Sequence, residues 1–278
     1  MSRIIKHKVV QKIIYSSLGI KLFPKIANYC YNLSNVIFNN LLSPEINGEY
    51  WLVDQFPENS IFIDVGFNNG EWSEYVLRAK QSAKVFAFDP CVDVIENYQK
   101  KSVNLNNLEL IQLALSNQEG NQVFYDYGGR NGCNSLVKRN LDFEQYINIE
   151  PKEYIVEVTT LDNWCNRVGV SHVNLLKIDA EGYDLNVLEG ASHLLDSQSI
   201  DVFVFEYASG WFSNKRFLWE ASKFIDNKPY RLFKLFNGFL APFEYKLEYE
   251  GLMRGMFVGI SNKEFNSHVF KLRNLISG

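Results

Sequence analysis

Apolar residues recur along this chain in two alternating rhythms. Runs of strand length lie near 60–65, 84–89, 108–114, 173–179, 202–207, 230–236 and 255–260, and between them the apolar residues return every three or four positions. Trp72, Tyr75, Val76 and Ala79 form one such stripe and Leu185, Leu188, Ala191 and Leu195 another. Each stripe shares one helical face, which predicts helices packed on a sheet rather than on a ligand. The alternation predicts an α/β fold: a seven-stranded, mostly parallel, doubly wound (Rossmann-like) sheet with helices on both faces. The 278 residues have room for one such domain, assigned to 49–278, and an N-terminal helical extension or cap over 1–48.

The extension is patterned differently. From Ser2 to Ile14 the residues Ile4, Ile5, Val9, Val10, Ile13 and Ile14 recur at helical spacing with lysines between them, predicting a basic amphipathic helix. A second helix is predicted from about Ile26 to Leu42, ahead of Ser43-Pro44. Between the third and fourth strands, Gln122-Val123-Phe124-Tyr125 and Tyr154-Ile155-Val156-Glu157-Val158 predict an inserted hairpin and loop near 121–158. Its polar, glycine-rich segment Gly128-Gly129-Arg130-Asn131-Gly132-Cys133-Asn134-Ser135 reads either as a flexible connection or as a substrate lid.

Chemistry enters where the first strand meets its helix. Ser60-Ile61-Phe62-Ile63-Asp64-Val65 runs into Gly66-Phe67-Asn68-Asn69-Gly70 and then into Glu71-Trp72-Ser73-Glu74, the strand, glycine turn and helix of a nucleotide-binding unit. The glycines let the backbone turn tightly and a ligand reach the free N–H groups of the helix end. Nineteen residues after Gly70 the second strand ends in Asp89-Pro90, and an acid there accepts both hydroxyls of an adenosine ribose. A dinucleotide site would need glycine where Asn68 stands, because that glycine lets a pyrophosphate sit against the backbone. The loop therefore suits a cofactor without a pyrophosphate, and S-adenosylmethionine is one.

Asp64-Val65-Gly66-x-x-x-Gly70 resembles motif I of class I methyltransferases. Further on, Leu175-Leu176-Lys177-Ile178-Asp179-Ala180-Glu181-Gly182-Tyr183-Asp184, followed by Val187-Leu188-Glu189-Gly190-Ala191, resembles the signature of the FkbM-type methyltransferases. Ala114-Leu115-Ser116, Thr160-Leu161-Asp162 and Val204-Phe205-Glu206 fall in the family order, so the likeness covers roughly Ser60 to Trp211. Phe67 and Asn69 replace smaller or aliphatic residues of the family, Asp89 stands where glutamate is commoner, and Ser135-Leu136 corresponds to the family's serine-rich segment. The resemblance implies S-adenosylmethionine as cofactor, held by Asp64, Gly66, Asn68, Gly70, Asp89, Leu115, Ser116 and Asp179. It also implies methylation of a hydroxyl on a sugar or polyketide-like product.

Methyl transfer to an alcohol needs an in-line nucleophile and a route for its proton. His172 precedes the fourth strand at the far end, His193 lies on the next helix, and His7 and His268 are terminal, so the candidates are Asp179, Glu181 and Glu206 together with Lys177. Three readings are open: a carboxylate base; a Mg²⁺ ion on Asp179 and Glu206 that acidifies the hydroxyl; or carboxylates that only hold the cofactor amine and cap a helix, leaving proximity to act alone. Lys177 sits inside a buried strand and needs a partner, expected to be Asp179 or Glu206.

A net charge of -4 and a pI near 5.7 argue against a nucleic-acid partner. Residues 1–44 nevertheless carry six Lys/Arg and no acid, leaving -10 for the rest. The segment is expected to dock on the domain, to make a homodimer, or to touch anionic lipid at the membrane surface. It lacks the apolar core of a signal or span, and the four scattered cysteines suit a reducing compartment. The expected location is cytoplasmic, or peripheral at the inner face of the membrane. The expected acceptor is a small molecule, a sugar or a glycolipid, in O-methylation of a surface glycan or related natural product. Two rivals stand beside this reading, a nicotinamide-dependent Rossmann dehydrogenase and a degenerate methyltransferase domain kept for binding. Asn68 in place of the central glycine of a dinucleotide loop speaks against the first, and the intact Asp64, Gly66, Gly70, Asp89 and Asp179 against the second.

Overall fold

The computed structural model describes residues 12–40, 43–100, 106–128, 132–140 and 149–265. Strands form over the apolar runs, except that the run 108–114 is split between two sheets: β1 (Ile61–Val65), β2 (Lys84–Phe88), β3 (Leu108–Ile111), β4 (Ala114–Leu115), β5 (Gly120–Asp126), β6 (Lys152–Thr159), β7 (Val173–Ile178), β8 (Ile200–Tyr207), β9 (Tyr230–Phe236), β10 (Phe239–Pro242) and β11 (Gly255–Ser261). Eight of them make one sheet in the order β10-β9-β11-β8-β7-β1-β2-β3, and β4, β6 and β5 make a second, three-stranded sheet. The sheet has eight strands rather than seven, and it is mixed rather than mostly parallel. β3, β2, β1, β7 and β8 run parallel, whereas β8/β11, β11/β9 and β9/β10 pair antiparallel. The extra strand follows from Asn237-Gly238, a two-residue turn in which Gly238 takes a φ of 89°; such a turn folds Phe239–Pro242 straight back onto β9.

The apolar stripes cover the sheet as helical periodicity requires. One core, on the side of Ile63, Phe86 and Phe203, receives Leu185, Leu188, Ala191 and Leu195; the other, on the side of Phe62, Val85 and Val204, receives Trp72 and Val76. Neighbouring residues of each strand therefore feed opposite layers, and both layers are closed to water.

The N-terminal part differs from its expected boundaries. The predicted helix over Ser2–Ile14 falls largely outside the described residues. The next helix runs Ser17–Ile37 instead of beginning near Ile26, because the Ser16 side chain accepts the Gly19 N–H at 3.0 Å and caps it there. Among the described residues no helix is long and apolar enough to cross a membrane.

Candidate active site

The parallel strands deliver their carboxyl ends to one edge, and the β1/β7 register decides what meets there. Asp64 lies directly opposite Lys177, so the two side chains point into the same layer. Lys177 Nζ donates to Asp64 Oδ1 at 3.1 Å and lies 3.6 Å from Asp179 Oδ2, while Ser73 Oγ donates to Asp64 Oδ2 at 2.6 Å. The nearest partner of Lys177 is thus Asp64, because a strand neighbour in register is closer than a residue beyond the strand end; the expected Asp179 is its second partner, whereas no ion pair joins Lys177 to Glu206 among the described residues. Burial alone would pull the Lys177 ammonium down, but Asp64, Asp179 and Glu49 outweigh it and hold its pKa above the ordinary lysine value. For Asp64, burial pushes the carboxyl up and Lys177 and Ser73 pull it back.

Gly66 turns the chain out of β1 at a φ of +85°, and a Cβ there would meet the Asp179 carbonyl oxygen at 1.9 Å. Only glycine allows the two loops to close together in this way. Asn68 follows with a φ of 48°, a conformation asparagine tolerates better than most residues. Its N–H donates to Asp89 Oδ2 at 3.0 Å, and the Cys91 N–H donates to Asp89 Oδ1 at 2.9 Å. Each oxygen keeps further lone-pair capacity for a ligand. Burial raises the Asp89 carboxyl to about 6.

At the end of β7, Glu181 is held at a φ of 53°, an unusual conformation for a side-chain-bearing residue and one that clusters at functional loops. Asp184 pins this loop by accepting the Gly182 N–H at 3.1 Å and the Ala180 N–H at 3.3 Å. Arg139, buried in the insertion, forms an ion pair with Glu181. Burial and then Asp179 raise the Glu181 carboxyl to about 8 against the pull of Arg139. Glu206, next to last in β8, is half-buried, and burial, followed by Asp179 and Glu181, pushes its carboxyl well above the ordinary range. Ligand oxygens of Asp179, Glu181 and Glu206 lie within 4.8 Å of one another.

One cleft runs from the β1 turn to these acids. Gly66, Asn68, Asp89, Leu115, Asp179 and Glu181 line it, with Phe88, Pro90, Val94, Leu113 and Phe124 giving it an apolar end. Asp64, Gly70, Ser116, Lys177 and Glu206 are not among its lining residues. Asp64 and Lys177 stand behind it as the buried pair, and Gly70 packs on Phe67 and Tyr98. Ser116 joins Tyr183 and Gln122 at 3.2 and 3.1 Å. The insertion covers the cleft through Ser135, whose hydroxyl donates to the Ala180 carbonyl at 3.0 Å. Gly129, Arg130 and Asn131 of its glycine-rich loop lie outside the described residues. Of the four histidines, His172 pairs with Asp201 at 2.9 Å, His193 stays on the helix Ser192–Asp196, and His7 and His268 lie outside the described residues.

Several residues here escape sequence reasoning. Arg139 has no periodic signature that marks it, and Asp184, although inside the family signature, has no role assigned from it. Glu49 comes from the helix Glu49–Asp54: its Oε1 accepts from Asn47 Nδ2 at 2.6 Å, its Oε2 is buried with no hydrogen-bond partner among the described residues, and burial raises its pKa to about 7. Lys177, Asp179 and Asp64 all act on it electrostatically.

The model of the FkbM methyltransferase domain matches residues 64–236, most of the chain and every element that builds the cleft. The chain belongs to the FkbM methyltransferase family. Among similar proteins, the 2-O-methyltransferase NoeI of Sinorhizobium fredii (strain NBRC 101917 / NGR234) is 23% identical over 143 residues, covering 49% of this chain and 58% of that protein. Methyltransferase 1 of Beauveria bassiana (strain ARSEF 2860) is 29% identical over 154 residues, covering 50% of this chain and 61% of that protein. The chain thus spans about three fifths of the length of the curated relatives it matches. A solved FkbM methyltransferase from Methylobacillus flagellatus KT aligns with a TM-score of 0.44 at 10% identity, covering 73% of this chain and 44% of that one.

Proposed function

We propose that this FkbM-family chain is an S-adenosylmethionine-dependent O-methyltransferase whose acceptor is a hydroxyl on a sugar of a surface glycan, a glycolipid or a related natural product. The observation that carries the reading is a single cleft with Asp89 and the Gly66–Asn68 turn along it and Asp179 and Glu181 at its acidic part. Its residues fit the cofactor. Asp89 retains acceptor capacity for two ribose hydroxyls, and the apolar end suits an adenine. Bound there, S-adenosylmethionine supplies a methyl group on a sulfonium and leaves as a neutral thioether. Asp179 is assigned the acceptor's proton, with Lys177 fixing its position and Glu206 beside it. The sugar preference rests on the family resemblance, and the oxygen preference also on the kinship with a 2-O-methyltransferase.

Mg²⁺ is the second reading for Asp179, Glu181 and Glu206, since their oxygens lie within 4.8 Å of one another. Arg139 and Lys177 already offset the charges of Glu181 and Asp179, which favours the carboxylate base over a cation.

Calorimetry with S-adenosylhomocysteine tests the cofactor. Binding should be measurable, NADH should not compete, and Asp89→Ala should weaken it by about 1.5–3 kcal/mol, the scale of hydrogen bonds to a charged group. Tight NADH binding without an S-adenosylhomocysteine signal would instead restore the dehydrogenase. The same titration has a pH signature. Below its raised pKa of about 6 Asp89 takes up a proton and loses charge, so affinity should fall by up to roughly tenfold per pH unit below that value. Asp89→Ala should flatten this slope, and a wild-type affinity constant between pH 5 and 8 would contradict the role given to Asp89.

A further inference from the structure

The helix Ser17–Ile37 meets the domain through its last turn and otherwise stands apart from it. Leu18, Leu22, Ile26, Tyr29, Leu33 and Val36 follow one another at intervals of four, four, three, four and three residues, which aligns them along one helical face. All six are 45–72% exposed, and the helix is about 30 Å long. Lys21 and Lys25, both exposed, border the stripe, three residues on from Leu18 and Leu22. No acid occurs anywhere in residues 1–44, which carry six Lys/Arg. An apolar face edged by lysines, with exposed Tyr15 and Tyr29, has the composition of a helix that lies in the headgroup region.

We propose that the helix Ser17–Ile37 is a docking surface for an anionic lipid bilayer, lying flat in its interface. Charge complementarity selects this occupant: a second copy on the same stripe would bring two acid-free, lysine-bearing segments together, whereas anionic headgroups neutralise them. The anchoring of the helix gives the contact a consequence. Asn39 Nδ2 donates to the carbonyls of Asn47 and Leu235 at 2.7 and 2.9 Å. Asn40 is bound at both ends of its amide, donating to the Leu252 carbonyl and accepting the Arg254 N–H, each at 2.8 Å. Lys234 Nζ, buried, donates to the Arg254 carbonyl at 2.7 Å and the Met256 carbonyl at 3.2 Å. These bonds seat the helix beside Gly255, which pairs with Tyr207 one residue beyond Glu206. The C-terminal end of the lipid-facing helix is therefore tied to the strand end that bears Glu206. The lipid surface itself stands independently of the methyltransferase reading.

Co-sedimentation of the full chain with phosphatidylcholine vesicles, with and without phosphatidylglycerol, tests this. Binding to the anionic vesicles should exceed binding to neutral ones by roughly tenfold or more and fall as salt rises. Leu22→Glu/Leu33→Glu should abolish it at every salt concentration, and Lys21→Glu/Lys25→Glu should remove only the preference for anionic lipid; both sites are exposed, so S-adenosylhomocysteine affinity should stay unchanged. Failure of the wild-type chain to sediment with either vesicle overturns the proposal. A concentration-dependent dimer in sedimentation velocity, dissolved by Leu22→Glu/Leu33→Glu and unaccompanied by lipid binding, would assign the stripe to a second copy instead.

Discussion

Lys177→Met should destabilise the protein by about 3–5 kcal/mol, the scale of an uncompensated buried charge. Asp64 is fully buried, and without the ammonium it keeps only the Ser73 hydroxyl to offset its desolvation. The methionine fills much the same volume, so lost packing contributes little. Denaturant unfolding measures the deficit. Its pH dependence has a definite sign: the Asp64 carboxyl, already raised by burial, rises further without Lys177, so the folded variant retains a proton that the unfolded chain releases, and the deficit shrinks as pH falls. The double substitution Asp64→Asn/Lys177→Met removes both charges and should recover much of the loss. A deficit below about 1 kcal/mol would mean that water reaches the pair and that it does little to hold β1 on β7.

Asp179→Asn should lower turnover by roughly 10²-fold or more, the scale of general-base contributions, with S-adenosylhomocysteine affinity changed far less. The amide keeps the shape of the side chain and removes the charge that would accept the acceptor's proton. Glu206 is a poor substitute, because burial and the neighbouring acids hold its proton, and no described histidine comes from a strand end at this edge. Treatment with EDTA separates the two carboxylate roles: indifference supports the base, and loss restored by Mg²⁺ supports a metal on Asp179 and Glu206. Near-normal turnover in Asp179→Asn would exclude both roles and leave proximity as the source of rate.

The sequence by itself determined the periodic and local features of this protein. Strand positions follow from apolar runs, the helix faces from three-and-four spacing, and family membership from Asp64 to Gly70 and Lys177 to Asp184, where backbone demands leave few residue choices. The β9/β10 hairpin was legible too, in Asn237-Gly238, although the reading from longer runs passes over a four-residue edge strand. Tertiary structure alone decided what depends on register and on long-range approach. Asp64 became the partner of Lys177 because β1 and β7 align those residues side by side, across 113 positions of chain. Arg139 reached Glu181 across 42 positions, and Glu49 reached the Lys177 cluster from outside the family match. The exposure of the N-terminal stripe was likewise decided in space. Periodicity records that a face is apolar, and only the packed fold determines whether that face meets the core or the solvent.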